Sequence, residues 1–147
     1  MSTEELRVVA GLAGLPALRS LDEIVELHQA VGKVYLRYSR GPAIDAGEAS
    51  RDKESGCLLP GLSTNPITPE PWWDRPPRQW VARQLCQYGH LAGREERLGW
   101  LLTGTVVGHG PDCEPLLADV TALASIEQEA MAEAERVYRE AFDPGRV

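Results

Sequence analysis

The chain has 147 residues, 43% hydrophobic, 25% charged and 6% aromatic, a profile that excludes a disordered tail or a fibre and fits one soluble domain able to bury a core without staples. Its 15 Lys and Arg against 22 Asp and Glu give a net charge of -7, which argues against a dominant, sequence-independent grip on nucleic acid.

The first residues, 1–20, carry acids where a signal peptide carries a basic region, and their apolar run is short and broken by Gly and Pro. These features predict a cytoplasmic protein without a membrane partner, its residues 1–19 only partly ordered. Ser20-Leu21-Asp22-Glu23 is a capping box. Leu21, Ile24, Val25, His28 and Val31 then recur at helical spacing and Gly32 supplies a stop, so a helix is predicted over 21–31, with His28 a core or boundary residue on its apolar stripe. Residues 33–39 alternate and end at Gly41-Pro42. They predict a strand with Val34, Leu36 and Tyr38 on one face and Tyr35, Arg37 and Ser39 on the other. Arg37 has two readings there: a ligand-binding side chain presented by rigid backbone, or a solvated one.

Residues 41–56 lack apolar periodicity and read as a surface loop. Residues 57–64 offer a short strand broken by Pro60-Gly61, and the Pro-rich stretch 60–77 carries Trp72-Trp73, which either line a ligand pocket or close the core as a lid. Pro76-Pro77 open a helix predicted over about 77–91, on which Trp80, Val81, Gln84, Leu85 and Tyr88 recur. Trp100 to Gly108 reads as one strand or two joined at Gly104, residues 109–113 as a turn, and 114–118 as a short strand. A last helix is predicted over 123–142, with Ile126, Ala130, Ala134, Val137, Tyr138 and Ala141 on one face and a solvated run of acids on the other. The fold class expected is α+β: a single domain with a small twisted antiparallel or mixed sheet and about three helices.

Cys57, Cys86 and Cys113 are odd in number and widely spaced, so they read as small buried hydrophobes rather than a disulfide framework or a C-x-x-C motif. Cys86 with His90, and His109 with Cys113, are pairs four apart that would close a tetrahedral zinc site, but the spacing matches no common zinc module, and no metal is expected. P-loop, Rossmann, serine-hydrolase and zinc-protease motifs are missing from the sequence.

Three polar residues attach to predicted strand ends, in the order Arg37, Ser63, Glu114. In this the chain resembles the Arg-Ser-Glu branch of the ADP-ribosyltransferase fold, with Arg37 in Leu36-Arg37-Tyr38-Ser39, then Ser63-Thr64-Asn65, then the acid-x-Glu of Asp112-Cys113-Glu114 ahead of a strand. The resemblance implies NAD as substrate and either ADP-ribosyl transfer or NAD glycohydrolysis. Arg37 would hold the diphosphate or nicotinamide ribose through its planar fork, and Ser63 would orient that ribose. Glu114 would accept from a ribose hydroxyl and stabilise the positive charge of glycosidic cleavage, Asp112 would face the acceptor, and Tyr35, Trp72, Trp73 or Tyr88 would stack on nicotinamide. The whole chain also resembles a group of small uncharacterised bacterial proteins, a domain of unknown function, through Arg37-Tyr38-Ser39-Arg40-Gly41-Pro42, Pro60-Gly61-Leu62-Ser63, Trp72-Trp73 and Gly110-Pro111-Asp112-Cys113-Glu114-Pro115-Leu116. Two other classes stand beside the NAD reading. One is a non-catalytic module that binds a protein or small molecule through Trp72, Trp73 and Trp80. The other is an enzyme of unrelated chemistry built on His109, Asp112, Glu114 and Arg37.

Overall fold

The structure is a computed structural model in which residues 14–45, 59–88 and 98–142 are described. Strand β1 (Ala17–Leu18) leads into helix α1 (Leu21–Val31). The Ser20 hydroxyl accepts from the Glu23 N–H at 3.2 Å, and the Glu23 carboxylate reaches back to the Arg19 N–H at 2.9 Å. Gly32, at φ 103°, ends the helix by donating to the His28 carbonyl, so α1 has the bounds its caps predict. There follow strand β2 (Tyr35–Ser39), the short helix α2 (Pro42–Asp45), strands β3 (Leu62–Ser63) and β4 (Asn65–Pro66), and helix α3 (Pro77–Tyr88). The long strands β5 (Leu98–His109) and β6 (Pro115–Ile126) and helix α4 (Gln128–Phe142) complete the described chain.

The result is a small α+β domain with one mixed sheet, ordered β1-β6-β5-β2-β4, in which β3 also pairs with β6. Only Thr64 separates β3, which bonds to the edge of β6 away from β5, from β4, which bonds to the edge of β2 away from β5. β2 and β6 flank β5 on opposite sides. In a flat sheet with strands ~5 Å apart those two edges would face away from each other, so one short segment can bond to both only because the sheet curls. Gly61 permits the approach, since a Cβ there would lie 2.7 Å from the Leu117 carbonyl oxygen.

The main core lies between the sheet and the helices. Val34, Leu36, Tyr38 and Leu101 meet Leu21 and Ile24 of α1, Val81 and Leu85 of α3, and Ala130, Ala134 and Val137 of α4. Tyr35, Trp100, Leu102 and Leu117 form a second, smaller cluster. The alternation read for residues 34–39 therefore separates two cores.

Several boundaries differ from expectation, and one open alternative is decided. β2 starts at Tyr35, two residues later than the alternation begins. Gly104 does not divide β5; a Cβ there would sit 2.8 Å from the Ala118 carbonyl oxygen, so the glycine admits β6 rather than a turn. The largest correction concerns residues 119–126, read partly as the start of the last helix. They extend β6 instead, and α4 begins at Gln128. Ser125, inside the predicted helix, pairs with Trp100 and donates its N–H to the Pro16 carbonyl at 2.9 Å. Pairing with β5 along this stretch, and with β1 at Ser125 and Ile126, outweighs the helix propensity of Ala122, Leu123 and Ala124. Residues 1–13 and 89–91, Cys57, His90 and the 94–97 connection lie outside the described residues.

Candidate functional site

β2 turns Tyr35, Arg37 and Ser39 to the face opposite the helices, and Arg37 is enclosed there. Its Nε donates to Oδ2 of Asp45 at 2.6 Å and its Nη1 to the Ser63 carbonyl at 2.7 Å. The Arg37 and Asp45 side chains are 17% and 8% exposed, which overturns the reading of Arg37 as a solvated side chain. Asp45 is held from a second side: the Ser39 hydroxyl donates to the same Oδ2 at 2.6 Å. That hydroxyl oxygen accepts from Trp100 Nε1 at 2.9 Å and from the Gly41 N–H at 3.1 Å. Gly41 makes the return possible, because its φ of 116° is one that side-chain-bearing residues avoid.

Ser63 joins Arg37 to Glu114. Ser63 lies opposite Leu116 in the β3–β6 ladder, which makes Glu114 its diagonal neighbour on the same side. The Ser63 hydroxyl stands 3.4 Å from Glu114 Oε1, a long hydrogen bond. The acid is fixed at its other oxygen, where Oε2 accepts from the Asp112 N–H at 2.9 Å. Glu114 closes the 110–113 turn between β5 and β6, in which the Cys113 N–H donates to the Gly110 carbonyl at 3.0 Å and the Gly110 N–H to the Glu114 carbonyl at 2.8 Å. With Cys113 at φ 64° this is a tight turn followed by one left-handed residue, the form that three-residue hairpin loops adopt. Arg37, Ser63 and Glu114 thus form one contact chain across β2, β3 and the mouth of the β5–β6 hairpin.

The other candidates fall in different places. Asp112 is exposed at the tip of the turn. Tyr35 is buried beside Trp100, with Leu102 and Pro66 as its cross-strand neighbours. Desolvation, helped by the charge of Glu70, pushes its hydroxyl above the usual phenol range. Trp72 and Trp73 gather instead around Trp80 of α3, with ring centroids 5.7 and 5.2 Å from it, and Trp73 also meets Phe142 of α4. They belong to the helical layer, on the other face of the sheet from Arg37. Trp73 is half-buried and Trp72 is 69% exposed. The Tyr88 side chain lies outside the described residues.

His28 is buried on the apolar face of α1, as its stripe predicts, and its Nε2 has no hydrogen-bond partner among the described residues. Cys113 is exposed and Cys86 half-buried; desolvation, then Glu135, raises the Cys86 thiol, opposed by Arg139. No group of three or more His, Cys, Asp or Glu among the described residues is arranged to hold a metal ion. No described helix is long and apolar enough to cross a membrane.

Sequence reasoning missed Asp45, which sat in a segment read as surface loop. The available signal was an acid just beyond a Gly-Pro turn that follows a strand carrying Arg37 and Ser39, close enough to fold back onto both.

No curated protein and no solved structure gives a significant match to the chain. A family model described as a family of unknown function, DUF6098, matches residues 12–146. Nearly the whole chain, including every residue of the contact chain above, falls within that match, and the protein belongs to this family.

Proposed function

We propose that the protein binds NAD at Arg37, Ser63 and Glu114 and cleaves the bond between nicotinamide and ribose, passing the ADP-ribosyl group to water or to an acceptor. The observation that carries this reading is the double engagement of Ser63: its carbonyl accepts from Arg37 and its hydroxyl meets Glu114. Residues 77 positions apart, Arg37 and Glu114, are thereby brought to one serine, in the order of the Arg-Ser-Glu resemblance.

The chemistry assigned to each group follows from its type. An arginine fork pairs with a diphosphate in plane. Glu114 accepts a hydrogen bond from a ribose hydroxyl and stabilises the positive charge that grows on the ribose as nicotinamide departs with the bonding electron pair. Water or the acceptor then bonds to the ribose anomeric carbon and loses its proton. Asp112, exposed two residues from Glu114, stands on the solvent side, where an acceptor would arrive.

The test is nicotinamide release and NAD binding by wild type, Glu114→Gln and Arg37→Lys. Release by wild type but not by Glu114→Gln, with affinity reduced in Arg37→Lys, supports the proposal. No binding by wild type at ~1 mM NAD, a weak limit for a specific site, would overturn it.

A second reading rests on Trp72, whose large apolar ring is exposed beside Trp73 and Trp80, with Phe142 and Arg75 against Trp73. This patch would serve a binding module. A shift in Trp emission on partner addition, lost in Trp72→Ala and indifferent to NAD, would favour it.

A further inference from the structure

We propose that Asp45 is an internal stand-in for the ligand's diphosphate: its carboxylate occupies the Arg37 guanidinium in the ligand-free protein and leaves when an anion binds. The proposal rests on the NAD reading for the identity of the dinucleotide, but only on Arg37 for the anion.

Three observations carry it. First, the carboxylate of Asp45 takes the Nε edge of Arg37 at 2.6 Å, the planar partner position that a phosphate oxygen would use. A bound diphosphate beside a retained Asp45 would place like charges in contact within a poorly solvated site, so exchange is favoured over addition. Second, Arg37 keeps 17% of its side chain exposed against 8% for Asp45, so the cation side of the pair is the one an incoming anion reaches. Third, Asp45 is carried by the four-residue helix α2. Its carboxylate also accepts from the Ser39 hydroxyl, which is itself bonded to Trp100 Nε1 and the Gly41 N–H. Departure of Asp45 therefore leaves Ser39 with partners and alters the surroundings of one buried indole.

That indole supplies the test. In a proton–nitrogen NMR spectrum the Trp100 indole signal is identified by its loss in Trp100→Phe, and inorganic diphosphate is titrated into wild type and Asp45→Asn. The expected result is a shift of the Trp100 signal on diphosphate addition to wild type, a ligand-free Asp45→Asn signal already moved from the wild-type position, and diphosphate affinity at least about fivefold higher in Asp45→Asn, since the competing carboxylate is gone. Should Asp45→Asn fail to fold, Ser39→Ala, which removes the hydroxyl bond to the Asp45 carboxylate, is expected to tighten diphosphate binding in the same direction. Diphosphate that binds without moving Trp100, affinity unchanged or lower in the variants, or no binding to any form would overturn the proposal. Failure of the NAD reading is separable: diphosphate exchange with no NAD cleavage removes the reaction and keeps the exchange. NAD cleavage by wild type with equal NAD affinity in Asp45→Asn keeps the reaction and removes the exchange.

Discussion

The Glu114 carboxylate lies over Gly110: a Cβ built on that glycine would fall on Oε1. The missing side chain is the space in which the acid rests between the Ser63 hydroxyl and the Asp112 N–H. In Gly110→Ala the atom that must give way is the far end of a flexible side chain, so the cost to stability is expected to stay below about 1 kcal/mol. In the proposed reaction the acid, displaced from Ser63, would no longer be aimed at the ribose. Nicotinamide release is expected to fall about tenfold or more while NAD affinity changes little, because misplacement acts on orientation rather than on the Arg37 contact. Urea unfolding together with chromatographic assay of nicotinamide checks both halves.

Cys113 holds the left-handed position of the same turn at φ 64°. A side chain there costs ~1–2 kcal/mol, part of which glycine would forfeit through its greater freedom in the unfolded chain. Cys113→Gly is therefore expected to stabilise the protein by about 0.5–1 kcal/mol, read as a higher urea midpoint at unchanged slope. Glu114 would keep its place, so activity should be retained.

Local chemistry was legible wherever one segment decides its own conformation. Ser20, Glu23 and Gly32 set both ends of α1, and Pro111 with Asp112 marked the hairpin turn. Residues 119–126 were not legible, because their strand state comes from segments distant in sequence, β5 along the stretch and β1 at Ser125 and Ile126. The candidate site divides in the same way. Arg37, Ser63 and Glu114 were marked by residue type and order, but Asp45 owes its burial to a chain reversal at Gly41 whose φ no composition argument supplies. Trp72 and Trp73 were read as pocket or lid. Only the packing of α3 against α4 puts Trp73 on Phe142 and leaves Trp72 in solvent.

The aromatic cluster makes a graded prediction. Trp80 is 3% exposed and its Nε1 donates to the Pro66 carbonyl at 3.2 Å, an oxygen that also accepts from Gln84 Nε2 at 2.8 Å, so Trp80→Ala leaves a cavity but not an unpaired carbonyl and is expected to cost about 3–5 kcal/mol. Trp72, only edge-on to Trp73 and Trp80, is expected to cost less than about 1 kcal/mol when cut to Ala. Urea midpoints for the two variants give the comparison, and equal losses would mean that Trp72 is a lid on the core.

His28 gives the fold a dependence on pH. Burial lowers its pKa below the ordinary 6.5, opposed by a backbone hydrogen bond, and its Nε2 is buried with no partner among the described residues to share a proton. The unfolded chain therefore binds more protons than the folded one in the interval between the lowered value and 6.5, and in that interval stability rises with pH. The contribution of His28 is complete above the unfolded value and is lost as pH falls from there towards the folded value, below which the loss levels off. His28→Leu fills the same apolar stripe on α1 without a titrating group and is expected to remove this part of the slope. Urea unfolding at steps from about pH 7.5 to pH 5, spanning the histidine range, checks it: the wild-type curve should fall more steeply than that of the variant. A parallel pair of curves would mean that His28 gains its proton equally well in the folded chain.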